Sequence, residues 1–276
     1  MQTLQIDGQP VAYTSSSGTG PAVLLIHGNS SSGRSFQRQL DSELGSRYRL
    51  VAIDLPGFGA SRPVIDPERV LGLQGWAAVV RGVVAAMRLD PVVLVGWSLG
   101  GHIALEAIGE LPGARGVLIF GTPPIAFPPA MEQAFLPHPA MASTFKQELS
   151  DAEMDAYVAS FFAPGFAELP AAFVEDIRRS DGRARAAVAA SIRPGGYKDE
   201  LEVVAGLSVP LAVLHGAEEQ LVSGGYLAEL SAPTLWRGQV QLIPGAGHAP
   251  HWEQPAQFNA LLGAFVADCV VQGDSA

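Results

Sequence analysis

The chain has 276 residues, enough for one large domain or for one domain carrying an insertion. Apolar residues make up 48% of it, which excludes a disordered tail or linker protein. The net charge of −10 offers no basic face for phosphate, so nucleic acid is excluded as a partner.

The chain starts "MQTLQID", without a basic region followed by an apolar stretch, so no signal peptide is expected. No apolar run approaches the ~20 residues a membrane helix needs, so no membrane span is expected either. A cytoplasmic protein is the expectation. "TLQID" and "PVAYT" alternate polar and apolar residues and read as a β-hairpin joined at Gly8–Gln9. Compact apolar runs follow: "AVLLIHG", "YRLVAID", "PVVLVGW", "GVLIFGT", "LAVLHG" and "VQLIPG", each bounded by Gly or Pro as buried parallel strands are. "WAAVVRGVVAAMRL", "LGGHIALEAIGEL" and "PAQFNALLGAFVADCVV" lie among them with apolar residues at helical spacing. Strand–helix alternation of this kind predicts a doubly wound α/β sheet. From about Pro123 to about Ala205 the alternation stops, and helical segments rich in Ala, Phe and Met appear between prolines. So long an interruption is expected to be an inserted helical cap. The expected division is a core of 1–122 with 206–276 and a cap of 123–205. The single cysteine, Cys269, sits in an apolar helical pattern and reads as a packed thiol.

"VVLVGWSLGGHIAL" places Gly96-Trp97-Ser98-Leu99-Gly100 between a strand and a helix, the G-x-S-x-G nucleophile elbow. A sharp strand-to-helix turn lifts the Ser98 hydroxyl clear of the sheet, at a helix N-terminus whose partial positive charge favours an oxyanion. The Leu99 N–H supplies one oxyanion-hole donor. "LLIHGNSSSG" supplies the second as the Asn29 N–H. The Asn29 side chain either holds a polar substrate group or caps its own loop. His27 reads as a residue that pins this loop.

"LIPGAGHAPHWEQP" places His248 on a loop after the last strand, where it is the expected base, with His251 its rival. His102 lies one turn into the helix after Ser98 and is expected to face away from the hydroxyl. His138 stands between cap prolines, and His215 ends a strand. The chain order Ser, acid, His confines the acid to residues between 98 and 248 at a strand end. After "GVLIFGTPP" no carboxylate occurs until Glu132, too far into the cap. The turn "HGAEEQLVS" remains, and the fifth residue of the H-G-x-x-D pattern falls on Glu219; Glu218 reads as its solvated neighbour. Glutamate can orient an imidazole as aspartate does, given room for one more methylene.

In the cap, "SDAEMDAYVASFF" carries a capping box at Ser150 and Glu153 and an apolar stripe of Met154, Tyr157, Val158, Phe161 and Phe162. Such a stripe is ordinarily packing, yet the inward side of a cap must line a pocket. Phe127, Met131, Phe135, Met141 and Phe145 suit an acyl chain. Trp97, beside Ser98, is expected to touch substrate as well.

With "IHGNSSSG", "DLPGFGAS", "GWSLGGHI", "GTPP", "DGRAR" and "AGHAP", the sequence resembles the α/β-hydrolase superfamily over essentially its full length. Within it, the chain is most similar to the serine-dependent N-acyl-homoserine lactone hydrolases, quorum-quenching lactonases of the AidH type. The resemblance implies the α/β-hydrolase fold: a mostly parallel eight-stranded sheet flanked by helices, with an inserted helical cap. It also implies a Glu in the acid turn, and contact of Asn29 and Tyr157 with the substrate's lactone end. The implied activity is ring opening through a Ser98–His248–Glu219 triad, with no metal and no cofactor. The implied partner is a small ester or lactone with an apolar acyl chain. The rival readings are a general carboxylesterase of the same fold and a non-catalytic, hydrolase-like receptor. Nothing in the sequence specifies an oligomeric state.

Overall fold

A computed structural model describes residues 1–273. Eight strands form one sheet: β1 (Gln2–Ile6), β2 (Gln9–Ser15), β3 (Ala22–Ile26), β4 (Arg49–Ile53), β5 (Val92–Trp97), β6 (Ala114–Phe120), β7 (Leu211–Gly216) and β8 (Gln241–Ile243). Their spatial order is β1-β2-β4-β3-β5-β6-β7-β8. β2 pairs antiparallel with β1 and β4, and every other neighbouring pair is parallel. This is the α/β-hydrolase fold. The hairpin turn is Asp7–Gly8, one residue earlier than expected from the sequence, because Ile6 pairs with Gln9. Both turn residues have positive φ (49° and 82°), the backbone of a two-residue type I′ turn, for which Asp-Gly is well suited.

The parallel strands read as unbroken apolar runs because both faces of the sheet are covered. Alternate residues go to opposite cores. Leu24, Ile26, Val51, Ile53 and Leu94 pack against helices α1 (Leu73–Met87) and α2 (Leu99–Ile108). Val23, Leu25, Leu50, Val93, Val95 and Trp97 join the other core, to which Phe258, Leu262 and Phe265 contribute from the C-terminal helix Pro255–Gly273. Truncating a fully buried member such as Leu24 to Ala costs about 2–5 kcal/mol. Cys269 is 1% exposed in this second core, where burial pushes its thiol up to about 12.

Between β6 and β7 the described residues contain no strand. Helices α3 (Asp151–Ala159), α4 (Ala171–Arg179), α5 (Gly182–Ser191) and α6 (Glu200–Ala205) lie in that stretch. α3 begins with the capping box: Ser150 and Glu153 satisfy each other's backbone N–H groups. This helical segment touches the loops at the C-terminal ends of the strands. Ala249 N–H donates to the Phe161 carbonyl at 2.8 Å, and the Arg34 guanidinium pairs with buried Asp176 of α4. The carboxyl ends of parallel strands are where such sheets hold ligands. No helix among the described residues is long and apolar enough to cross a membrane.

Candidate active site

Ser98 stands between β5 and α2 with φ 52° and ψ −119°, a left-handed backbone that a non-glycine residue adopts only under constraint. Three bonds impose it. Ser98 N–H donates to the Phe120 carbonyl (2.9 Å), the Ser98 carbonyl accepts from Thr122 Oγ1 (2.8 Å), and Gly101 N–H closes the first helical turn on it (2.9 Å). A side chain at Gly100 would overlap the Ile26 carbonyl, so the glycine lets α2 approach β3.

His248 follows β8. Its Nδ1 lies 2.8 Å from Glu219 Oε2, and both side chains are buried (3% and 2% exposed). Burial pushes the Glu219 carboxyl upward. The His248 charge and hydrogen bond, the Leu221 N–H at 2.8 Å and the His215 charge outweigh burial and leave its pKa below the ordinary value. Glu219 therefore stays an anion facing the imidazole. Its neighbour Glu218 is exposed. The loop carrying His248 is fixed elsewhere too. Trp97 Nε1 donates to the His248 carbonyl at 2.7 Å, and Glu253 accepts from Gly247 N–H (2.8 Å) and Ala163 N–H (2.7 Å). Glu253 is a site-supporting residue that the motifs do not reveal; its only sequence signal is an acid five residues past the candidate base.

Ser98, Leu99, Asn29 and His248 line one cavity. No hydrogen bond joins Ser98 to His248 among the described residues; catalytic bonds of this kind commonly tighten only around substrate. The Asn29 and Leu99 N–H groups donate to no other described residue, which leaves both for an oxyanion. The Asn29 side chain is engaged: Nδ2 donates to the Thr144 carbonyl (2.9 Å) and Oδ1 accepts from Ser30 (3.1 Å). It thereby ties the core loop to the helical segment. His27 fixes the same loop from below, with Nδ1 on the Gly28 carbonyl (2.7 Å) and Nε2 accepting the Leu55 N–H (3.0 Å). Burial lowers its pKa, and the imidazole is neutral.

The cavity has a volume of about 80 Å³. It is a narrow slot. Met131, Phe135, Met141, Phe145, Tyr157 and Phe161 form its helical-segment side. Burial raises the Tyr157 phenol to about 12, so it is a neutral hydroxyl.

Three sequence expectations need correction. Trp97 does not line the cavity: it is fully buried, alternation along β5 sends its ring into the second core, and it acts on the His248 loop instead. Phe127 lies outside, 36% exposed, with its ring against Tyr197. His102 does not face away; it lines the cavity, its Nδ1 2.8 and 2.9 Å from the two Glu200 oxygens. Helical spacing was the signal, since residues four apart share a face. His251, the rival base, is enclosed by Phe36, Trp97, Phe120 and Phe258, with neither ring nitrogen hydrogen-bonded. Among the described residues, no cluster of three or more His, Cys, Asp or Glu side chains is arranged to hold a metal ion.

Comparison with known proteins agrees with this fold. A solved structure of N-acyl homoserine lactonase AidH complexed with N-butanoyl homoserine is 36% identical, with TM-score 0.92, over 97% of this chain and 96% of that one. A pimeloyl-acyl-carrier-protein methyl ester esterase of Xylella fastidiosa is 29% identical over 269 residues, 92% of this chain and 98% of the esterase. A bromoperoxidase from Bacillus anthracis, 23% identical with TM-score 0.78 over 96% and 99% of the two chains, shares the fold. The family model described as "Alpha/beta hydrolase family" matches residues 23–261, and with the fold and the elbow already in view, this chain belongs to that family.

Proposed function

We propose that the protein hydrolyses N-acyl-homoserine lactones by opening the lactone ring, through a covalent intermediate on Ser98. The observation that carries this reading is the buried His248–Glu219 pair opening onto the same narrow apolar slot as Ser98. The likeness to a lactonase at 36% identity over nearly the whole chain supports the choice of substrate.

In this reading His248 takes the Ser98 proton as the hydroxyl attacks the ring carbonyl, and the N–H groups of Leu99 and Asn29 hold the oxyanion. The ring C–O bond breaks, and His248 returns the proton to the alkoxide, which remains tethered as the homoserine hydroxyl. Water, deprotonated by His248, then cleaves the acyl-enzyme and releases N-acyl-homoserine. Glu219 holds the imidazole in one tautomer and balances its positive charge. Asn29 and Tyr157 serve the lactone end. Met131 and the apolar residues of the 123–205 cap serve the acyl chain.

A carboxylesterase acting on open-chain esters is the second reading, favoured by the resemblance to methyl ester esterases. Mass spectrometry of the products from N-hexanoyl-homoserine lactone separates the outcomes. Ring opening gives the substrate plus one water, which re-forms lactone on acidification. Release of hexanoate with intact homoserine lactone would identify amide cleavage and sink the proposal. Unreacted lactone beside turned-over methyl esters would favour the second reading.

A further inference from the structure

His102 and Glu200 form a second imidazole–carboxylate pair in the cavity, separate from the triad. Glu200 is 2% exposed, and among the described residues no Lys or Arg pairs with it. It is held in place by exchange with Ile125: its Oε2 accepts the Ile125 N–H at 2.8 Å, and its own N–H donates to the Ile125 carbonyl at 3.0 Å. Both carboxylate oxygens lie within 2.9 Å of His102 Nδ1, so Nδ1 carries the proton. With the proton on Nδ1, Nε2 is left as an acceptor; it has no partner among the described residues and is not fully buried, and His102 lines the cavity.

Around it the wall is apolar. Leu73, Ile125, Val188 and Ile192 line the cavity with it; apart from Ser98 and His248, the other polar lining groups are Asn29, Thr144 and Tyr157, of which Asn29 is bonded to the Thr144 carbonyl. His102 is four residues past Ser98 on α2, about 6 Å further along the helix axis. An acceptor nitrogen in an apolar wall discriminates. A plain hydrocarbon chain strips its water and gives nothing back, whereas a chain with a hydroxyl at the right carbon replaces that water. With the ring carbonyl at Ser98, the β-carbon of the acyl group lies a few bonds beyond the amide, within reach of a side chain one helical turn away.

We propose that His102, oriented by Glu200, is a specificity residue that accepts a hydrogen bond from a β-hydroxyl on the substrate's acyl chain. The inference rests on the lactonase reading and refines it. The test compares kcat/KM for N-(β-hydroxyhexanoyl)-, N-(β-oxohexanoyl)- and N-hexanoyl-homoserine lactone above the ordinary histidine titration range, and repeats it with the matching N-acylglycine methyl esters. The wild type should favour the β-hydroxy chain over the plain one. His102→Leu should reduce that ratio by roughly 5- to 100-fold, and His102→Gln, which keeps a hydrogen-bonding group, should restore part of it. A wild-type ratio at or below one overturns the proposal even if His102→Leu does not fold. So does a His102→Leu that slows all chains equally, the mark of a merely structural role. A preference for the β-oxo over the β-hydroxy chain overturns it too, since an acceptor nitrogen cannot bind a ketone oxygen. If only the methyl esters are turned over, with a ratio that depends on His102, the lactone reading fails and the acyl-chain inference stands.

Discussion

The indole N–H of Trp97 donates to the backbone carbonyl of His248 at 2.7 Å, joining positions 151 residues apart. Trp97 immediately precedes Ser98, so the end of β5 carries the hydroxyl and also fixes the loop of the imidazole meant to deprotonate it. Trp97→Phe keeps the ring in the second core and deletes this bond. The expected result is a fall in kcat of roughly 10- to 100-fold with KM little changed, because small misplacements of a base are expensive. Steady-state kinetics beside a thermal melt separate this from unfolding.

The acid is Glu219 in this account, and charge is what it contributes. Glu219→Gln retains the shape and removes the anion that favours the correct tautomer and the imidazolium, and should lower kcat by about 10³–10⁴. Glu218→Gln, one position earlier on an exposed side chain, should leave kcat at the wild-type value. Equal losses from both would reassign the acid.

Gly121, just past β6, has φ +59°, and a Cβ there would lie 2.8 Å from Cε1 and 2.9 Å from Nδ1 of His248. Gly121→Ala should therefore push the imidazole off Glu219, lowering kcat about 10²-fold, in addition to a backbone penalty of about 1–2 kcal/mol. The two effects are read by kinetics and by denaturant unfolding. Wild-type kcat in this variant would show that the ring has room to move.

His251 is buried with both nitrogens unpaired, and burial lowers its pKa well below 6.5; His27 and His215 are lowered by burial as well. Below that value the unfolded chain takes up protons that the folded chain refuses, so stability falls as pH drops. Glu219 acts in the same direction at lower pH: its depressed folded pKa stabilises the fold above the ordinary carboxylate range, and that contribution is lost as pH falls through the folded value. His251→Phe, placed among Phe36, Trp97, Phe120 and Phe258, should raise Tm and lessen the drop in Tm between about pH 7 and about pH 5 without removing it. An unchanged drop would mean that His251 is not a source of the acid lability.

What could be read from the sequence follows physical locality. The strands were visible because residues buried on both faces must all be apolar, and the elbow because its glycines answer steric demands within five residues. The turn lies at Asp7–Gly8, one residue before the expected Gly8–Gln9, since Asp as well as Gly accepts positive φ. Trp97 and His102 depart from the sequence expectation although local periodicity holds the answer: alternation along β5 buries the first, and four-residue spacing on α2 brings the second to the cavity. Phe127 lies in a segment without such periodicity, so nothing local fixed its direction. The Glu200 partner of His102 comes from 98 residues away and Glu253 supports the site through backbone N–H groups, so neither leaves a spacing signature.

Active-site labelling tests the central claim most directly. A fluorophosphonate probe requires a serine activated by its base, and peptide mapping locates the adduct. The account predicts one adduct per chain, on the peptide carrying Ser98, formed far more slowly in Glu219→Gln, with Ser98→Ala unlabelled and slowed on the order of 10⁶-fold in lactone turnover. Lactone hydrolysis persisting in Ser98→Ala, or proceeding in a wild-type protein whose Ser98 never labels, would contradict it.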